Sequence, residues 1–151
     1  MEVPEKGAER IRSIVESVPP KDATFTSVAT VVASVLQRTY AVEKNALNAA
    51  ISLAQREMLE TMCQETKTMV DALIPYVRTA SGLGSSDGDQ SWWFALSEAT
   101  ESLGDGIDRL SAIVGRQEKG SAVRDLAALA VRVLRDHRQD LVREADDWMN
   151  S

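Results

Sequence analysis

Apolar residues recur along this chain at steps of three and four, the spacing that lines up one face of an α-helix. The pattern runs longest over Val42–Val77, where Leu47, Ile51, Ala54, Met58, Met62, Met69 and Leu73 form one stripe. A second strip, Leu59, Cys63, Val70, Ile74 and Val77, lies about 100° further round. Glu57, Glu60, Gln64, Lys67, Asp71 and Arg78 make up a narrow polar remainder. A helix apolar over so wide an arc is expected in the middle of a bundle, touching several neighbours. One residue departs from the pattern. Glu65 fills the gap between Met62 and Met69, at the centre of the apolar stripe.

The rest of the chain reads as further helices. Pro4–Val18 carries Ala8, Ile11, Ile14, Val15 and Val18 on one face. Pro19 and Pro20 then end it, because neither can donate the next backbone hydrogen bond. A second helix opens near Thr24–Ser27, hydroxyl residues suited to capping. Its face is Val28, Val31, Val32, Val35 and Leu36. These residues are mostly β-branched, but their spacing and the lack of a turn signal before Val42 favour helix over strand. An unbroken helix over Thr26–Val77 would be roughly 75–80 Å long at about 1.5 Å per residue, against a radius of gyration of about 15 Å for a domain this size. A break or bend is therefore predicted within Gln37–Asn45.

Pro75 is expected to loosen the end of the central helix. The segment 81–91 is built of Gly, Ser and Asp with little to bury, and reads as a mobile surface loop. A fourth helix covers Trp92–Val114, with Trp92, Leu96, Ala99, Leu103, Ile107, Leu110 and Val114 facing the core. After a polar turn at Gly115–Gly120, a last helix runs from Ser121 to near Trp148. It buries Val123, Leu126, Ala127, Ala130, Leu134, Leu141, Ala145 and Trp148. No strand pattern or internal repeat stands out. The predicted fold class is all-α: one domain over 1–151, an irregular bundle of about five helices around a long central helix.

Composition narrows the function. Hydrophobic residues are 44% and charged residues 26% of the 151, as in ordinary globular domains. A net charge of -6 argues against a general nucleic-acid binder, which needs a basic face. With one Cys and one His, metal sites built on several such ligands are excluded, and so is an internal disulfide. A reducing, cytoplasmic compartment follows. The start, Met1-Glu2-Val3-Pro4-Glu5, is acidic where a signal peptide is basic. Ala23–Gln37, the least charged stretch, is too short to span a bilayer. Gly82-Leu83-Gly84 lacks the following Lys and preceding strand of a nucleotide loop, and no cofactor or small-molecule substrate is expected.

Four groups of residues bear on chemistry. Glu98, Glu101, Asp105 and Asp108 share one helical face. Leu103-Gly104-Asp105 there is similar to the acidic helix of all-α nucleotide pyrophosphohydrolases, although Ser102 stands where that family has a Glu. The face lies about 170° from the Leu96–Leu103–Leu110 stripe and is predicted to meet water. Arg132-Val-Leu-Arg-Asp-His137 resembles the motif of small all-α ribonucleases of the HEPN type. That resemblance implies His137 as acid/base and Arg132 as a phosphate ligand. On one unbroken helix the two point about 140° apart. His137 also falls at the edge of the stripe between Leu134 and Leu141, where a structural histidine is the competing expectation.

The third group is Met58, Met62 and Met69 with Glu65. Methionines suit surfaces that take varied apolar partners, and Glu65 would select a basic residue on an incoming amphipathic helix. Alternatively the methionines fill the core, and Glu65 reaches a neighbouring Arg, Lys or His137. The fourth is Trp92-Trp93, in which Trp92 takes the core stripe and Trp93 its edge, either as an interface anchor or covered by the loop that precedes it. The leading expectation is a non-enzymatic interaction or assembly subunit, binding a protein partner or a second copy through Met58, Met62, Glu65, Met69 and Trp93. Nucleic-acid, membrane and metal binding are not expected. The alternatives are a HEPN-like ribonuclease using Arg132 and His137, and a membrane-active bundle that opens to insert Phe25–Leu36.

Overall fold

The computed structural model describes residues 6–16, 23–76 and 91–149. Among these the elements are five α-helices, α1 Lys6–Glu16, α2 Ala23–Ala49, α3 Leu53–Leu73, α4 Trp92–Arg116 and α5 Ala122–Met149, with a 3-10 turn at Ile74–Tyr76. No strand occurs among the described residues. The all-α class read from periodicity is the one observed. The loop expected at 81–91 lies outside the described residues, apart from Ser91.

The valine-rich second segment is helical. Phe25, Ala29, Val32, Ala33, Val35 and Leu36 are buried along it. Its threonines do not break it. The Thr30 and Thr39 hydroxyls donate back to the carbonyls of Thr26 and Val35, at 2.7 and 2.9 Å, so their polar atoms are satisfied one turn away.

The break falls elsewhere than predicted. α2 runs straight through Gln37–Asn45, and the chain turns at 50–52 instead. The cause is a capping box. The Gln55 N–H donates to Ser52 Oγ at 3.1 Å, while Gln55 Oε1 accepts from the Ser52 and Ile51 N–H groups at 3.3 and 3.0 Å. Ser52-Leu-Ala-Gln55 is a readable start signal, and it outweighs the apolar stripe that runs across it. Ile51 and Ala54, predicted on the core stripe, are consequently exposed. The long pattern over Val42–Val77 is thus divided between two helices, and Val77 itself lies outside the described residues. α3 gives way at Leu73 to the 3-10 turn containing Pro75, as the proline suggests.

Short turns make α2–α3 and α4–α5 antiparallel pairs. Ser91 Oγ caps α4 by accepting from the Phe94 N–H at 3.3 Å, and Ser121 Oγ accepts from the Arg124 N–H at 3.2 Å at the start of α5. Between them Gly120 has φ 81°, a left-handed conformation that favours glycine. α2 packs against α3, α4 and α5, while α1 lies against α3 and α5. α2 and α5 therefore each pack against three other helices, and α3 lies against α2 and α1 and is bonded to α5. Gly106 sets the closest approach: a Cβ there would stand 2.8 Å from Val35 Cγ1 of α2 and 3.4 Å from Leu134 Cδ1 of α5. No helix among the described residues is long and apolar enough to cross a membrane.

Candidate functional site

Two places depart most from the rule of charge outside and apolar inside; a smaller departure, Ile74 and Tyr76 at 38% and 39% exposed, lies at the end of α3. The first is buried. Glu43 of α2 is 0% exposed and His137 of α5 is 5% exposed. His137 Nδ1 stands 2.7 Å from Glu43 Oε2, and Nε2 stands 2.6 Å from Glu65 Oε1 of α3. The Thr66 hydroxyl lies 2.7 Å from Glu43 Oε1 and 3.1 Å from the Met62 carbonyl, so its proton favours the carboxylate. Three helices are tied together through one imidazole.

A neutral imidazole has one N–H, and both nitrogens here face carboxylate oxygens, so the ring is an imidazolium donating twice. Burial by itself would push the His137 pKa down. The Glu43 charge and hydrogen bond, followed by the hydrogen bond and charge of Glu65, outweigh it and raise the pKa from 6.5 to about 10. The imidazole is paired within the chain. Both ring nitrogens are occupied, and the two carboxylates sit on opposite sides of the ring, so they do not converge on a point where a substrate atom or ion would sit. Among the described residues, no group of three or more His, Cys, Asp or Glu is arranged to hold a metal ion.

Arg132 is not part of this cluster. It is exposed and lines a cavity of about 330 Å3 between α1 and α5 with Arg10, Ser13 and Asp125. The Arg132–His137 pair that a ribonuclease would need is therefore not assembled. Cys63 is buried beside the cluster. Burial first, then the Glu43 charge, push its thiol up to about 12, which leaves it protonated and inert.

The residues expected to form a methionine groove are distributed differently. Met62 and Met69 are core residues, Met58 is half-buried against the core, and Glu65 is engaged with His137. They present no open groove. Trp93 is at the surface. The acidic face of α4 behaves as its position predicts: Glu101, Asp105 and Asp108 are exposed and Glu98 is half-buried. Part of it lines a cavity of about 600 Å3 between α2 and α4, where Arg38 and Arg109 stand beside Glu98, Glu101 and Asp105. Both charge signs occur there, and none of those five side chains is buried.

The second departure is apolar and exposed. Ile51 (64%), Leu53 (71%), Trp93 (42%), Phe94 (55%), Trp148 (41%) and Met149 (70%) are large apolar residues left open to water. Cross-bundle bonds fix where they lie. Gln55 Nε2 donates to Glu144 Oε1 at 2.8 Å, which sets the start of α3 beside the end of α5. Arg138 Nε donates to the Thr100 carbonyl at 3.2 Å, which brings the start of α4 to the same level. The Glu43–His137 contact aligns α2 with α5, so the end of α2 arrives there too. All six residues therefore belong to one end of the bundle. Trp92 is buried at that end, and its Nε1 has no acceptor among the described residues.

Trp148 was expected in the core. It lies in the last turn of α5, beyond the half-buried Ala145, where less of the bundle remains to cover it. Glu43 was not singled out from the sequence. A signal existed, because Leu36, Thr39, Glu43, Ala46 and Ala50 step by three and four and all five are buried. No protein-family model matches the chain, and no curated protein or solved structure is significantly similar to it.

Proposed function

We propose that this chain is a non-enzymatic interaction or assembly subunit, and that its working surface is the end of the bundle bearing Ile51, Leu53, Trp93, Phe94, Trp148 and Met149. The observation that carries the reading is the gathering of six large exposed apolar side chains from three helix ends and the α2–α3 turn. Taking roughly 150–250 Å2 for each side chain when fully exposed, about 700 Å2 stays open, close to the roughly 800 Å2 that each partner buries in a standard interface. Patches of that size on soluble proteins mark interaction sites. Trp and Phe are the side chains expected at such a centre. The cluster at His137 supports the non-enzymatic half of the reading, since both nitrogens of the imidazole are hydrogen-bonded inside the chain. A buried, protonated Cys63 thiol is in keeping with a reducing, cytoplasmic setting.

The test is site-directed photocrosslinking in cells. A photoreactive side chain at Leu53 or Met149 is expected to give discrete protein adducts that vanish when Phe94→Ser is added. The same group at Lys119, in the turn at the far end, should give none. Equal labelling from both ends would remove the basis for this reading.

A further inference from the structure

The same apolar end carries a charge pattern that points to what covers it. From Asp140 onward α5 has Asp140, Glu144, Asp146 and Asp147 against Arg143 alone, and the first turns of α3 add Glu57 and Glu60 against Arg56. At the same level α2 adds Lys44 and α4 adds Glu98, so seven carboxylates against three basic groups make the surroundings of the patch net negative. Arg143 is already directed at Asp140, 3.6 Å away. Among the described residues α5 has no basic residue in its last turn.

Resting on the reading of this end as a protein-binding surface, we infer that its occupant is an amphipathic helix of another protein, with an apolar face flanked by Lys or Arg. Three physical arguments select it. A second copy would bring one acidic rim against another, and like-charge juxtaposition at an interface costs several kcal/mol. An anionic membrane surface is disfavoured for the same reason. A strand has no sheet edge to extend among the described residues, whereas helix-in-groove recognition needs only separated apolar anchors. Anchor spacing agrees as well. Helix ends in a packed bundle stand about 8–10 Å apart, and two turns of an incoming helix advance about 11 Å. Residues one and two turns apart on the incoming face can then reach the Trp93–Phe94 and Trp148–Met149 groups together. Lysines on its flanks meet Asp147 and Glu57.

The full chain is titrated with two synthetic, tryptophan-free amphipathic helices. They share one leucine face, and one carries Lys and the other Glu on the polar face. Trp93 and Trp148 report binding through their fluorescence. The Lys helix is expected to bind at least about tenfold more tightly at low salt, with the gap closing as salt is added. Its binding should be lost in the triple variant Leu53→Ser, Phe94→Ser, Met149→Ser, which leaves the net charge unchanged. Equal binding of both helices overturns the basic-helix inference and leaves the protein-binding reading standing. Binding of neither helix, or binding that survives in the triple variant, overturns both. Concentration-dependent dimers in sedimentation that the triple variant abolishes would assign the surface to a second copy. Blue-shifted fluorescence with anionic phospholipid vesicles would assign it to a membrane.

Discussion

The His137 cluster and the apolar end violate the same rule in opposite directions. One buries charge and the other exposes hydrocarbon. Their difference is one of completion. Around His137 both ring nitrogens have a carboxylate and Glu43 has Thr66 and His137, so within the chain only Glu65, 27% exposed, reaches the surface. At the apolar end, burial stops at Ala145 and Trp92, and the next large side chains outward are open. A closed violation serves the fold, by fixing how α2, α3 and α5 register on one another. An open one gains free energy only when something outside the chain covers it. Under the proposed function the lone histidine, the most reactive-looking residue, belongs to the closed set and the working surface to the open one.

The sharpest way to break the comparison is to open the closed site. His137→Leu keeps similar volume but strands Glu43, 0% exposed, with only the Thr66 hydroxyl. Removing one member of a buried ionic set is expected to cost about 3–5 kcal/mol, read as a lower urea midpoint at an unchanged slope. The wild-type pH profile supplies an independent readout. The folded chain holds a proton that the unfolded chain releases near pH 6.5, because the His137 pKa is raised to about 10. The cluster's contribution is therefore full below pH 6.5, declines by up to about 1.4 kcal/mol per pH unit above it, and is gone beyond about pH 10. His137→Leu should flatten that decline. A variant that keeps the wild-type slope would show that His137 is not the group responsible.

How much of this was legible in the sequence depends on the kind of signal. Helix identity was, since three-and-four spacing survives any rearrangement of the bundle. The contact between Glu65 and His137 was foreseen as one option, because a carboxylate at the centre of an apolar stripe must find a cation. Glu43 was overlooked because its apolar neighbours include Thr39, Ala46 and Ala50, small or hydroxylic residues that make a faint stripe. The α2–α3 turn was misplaced because periodicity continues across it, and only the Ser52–Gln55 box interrupts the backbone. The apolar end was not legible as a surface at all. Its residues come from segments far apart in the chain, and only the levels set by Gln55–Glu144 and Arg138–Thr100 bring them together.

A second, smaller effect probes the packing that holds these levels. Gly106→Ala gains helix propensity worth roughly 1 kcal/mol but drives a methyl against Val35 Cγ1, a β-branched side chain with little freedom to move. Overpacking of this kind costs about 1–3 kcal/mol, so a net loss is expected in thermal or urea unfolding. Gly104→Ala is the contrast. Its Cβ would meet Arg138 Nε at 3.3 Å, on an exposed side chain that can give by a few tenths of an ångström at the expense of its bond to the Thr100 carbonyl. It should be close to neutral. If both glycines behave alike, Gly106 is not the contact that sets the approach of α2 to α4.

The smallest expected effect is the one that best isolates the open site. Leu53→Ser, Phe94→Ser and Met149→Ser remove side chains that are more than half exposed, so the folded state loses little burial. Each should change unfolding free energy by no more than about 0.5 kcal/mol, the usual range for surface positions. The Phe94 N–H still donates to Ser91 Oγ, and the Leu53 position still follows the Ser52 cap, so neither helix start is disturbed by a side-chain change. Set beside His137→Leu, the result has a clear form. One substitution in the closed site should unfold a large fraction of the chain's stability and leave the apolar end chemically intact. Three in the open site should leave the urea midpoint almost unmoved. A large loss of stability from the triple variant would mean that these side chains are packed as part of the core in solution, and the distinction between the two regions would fail.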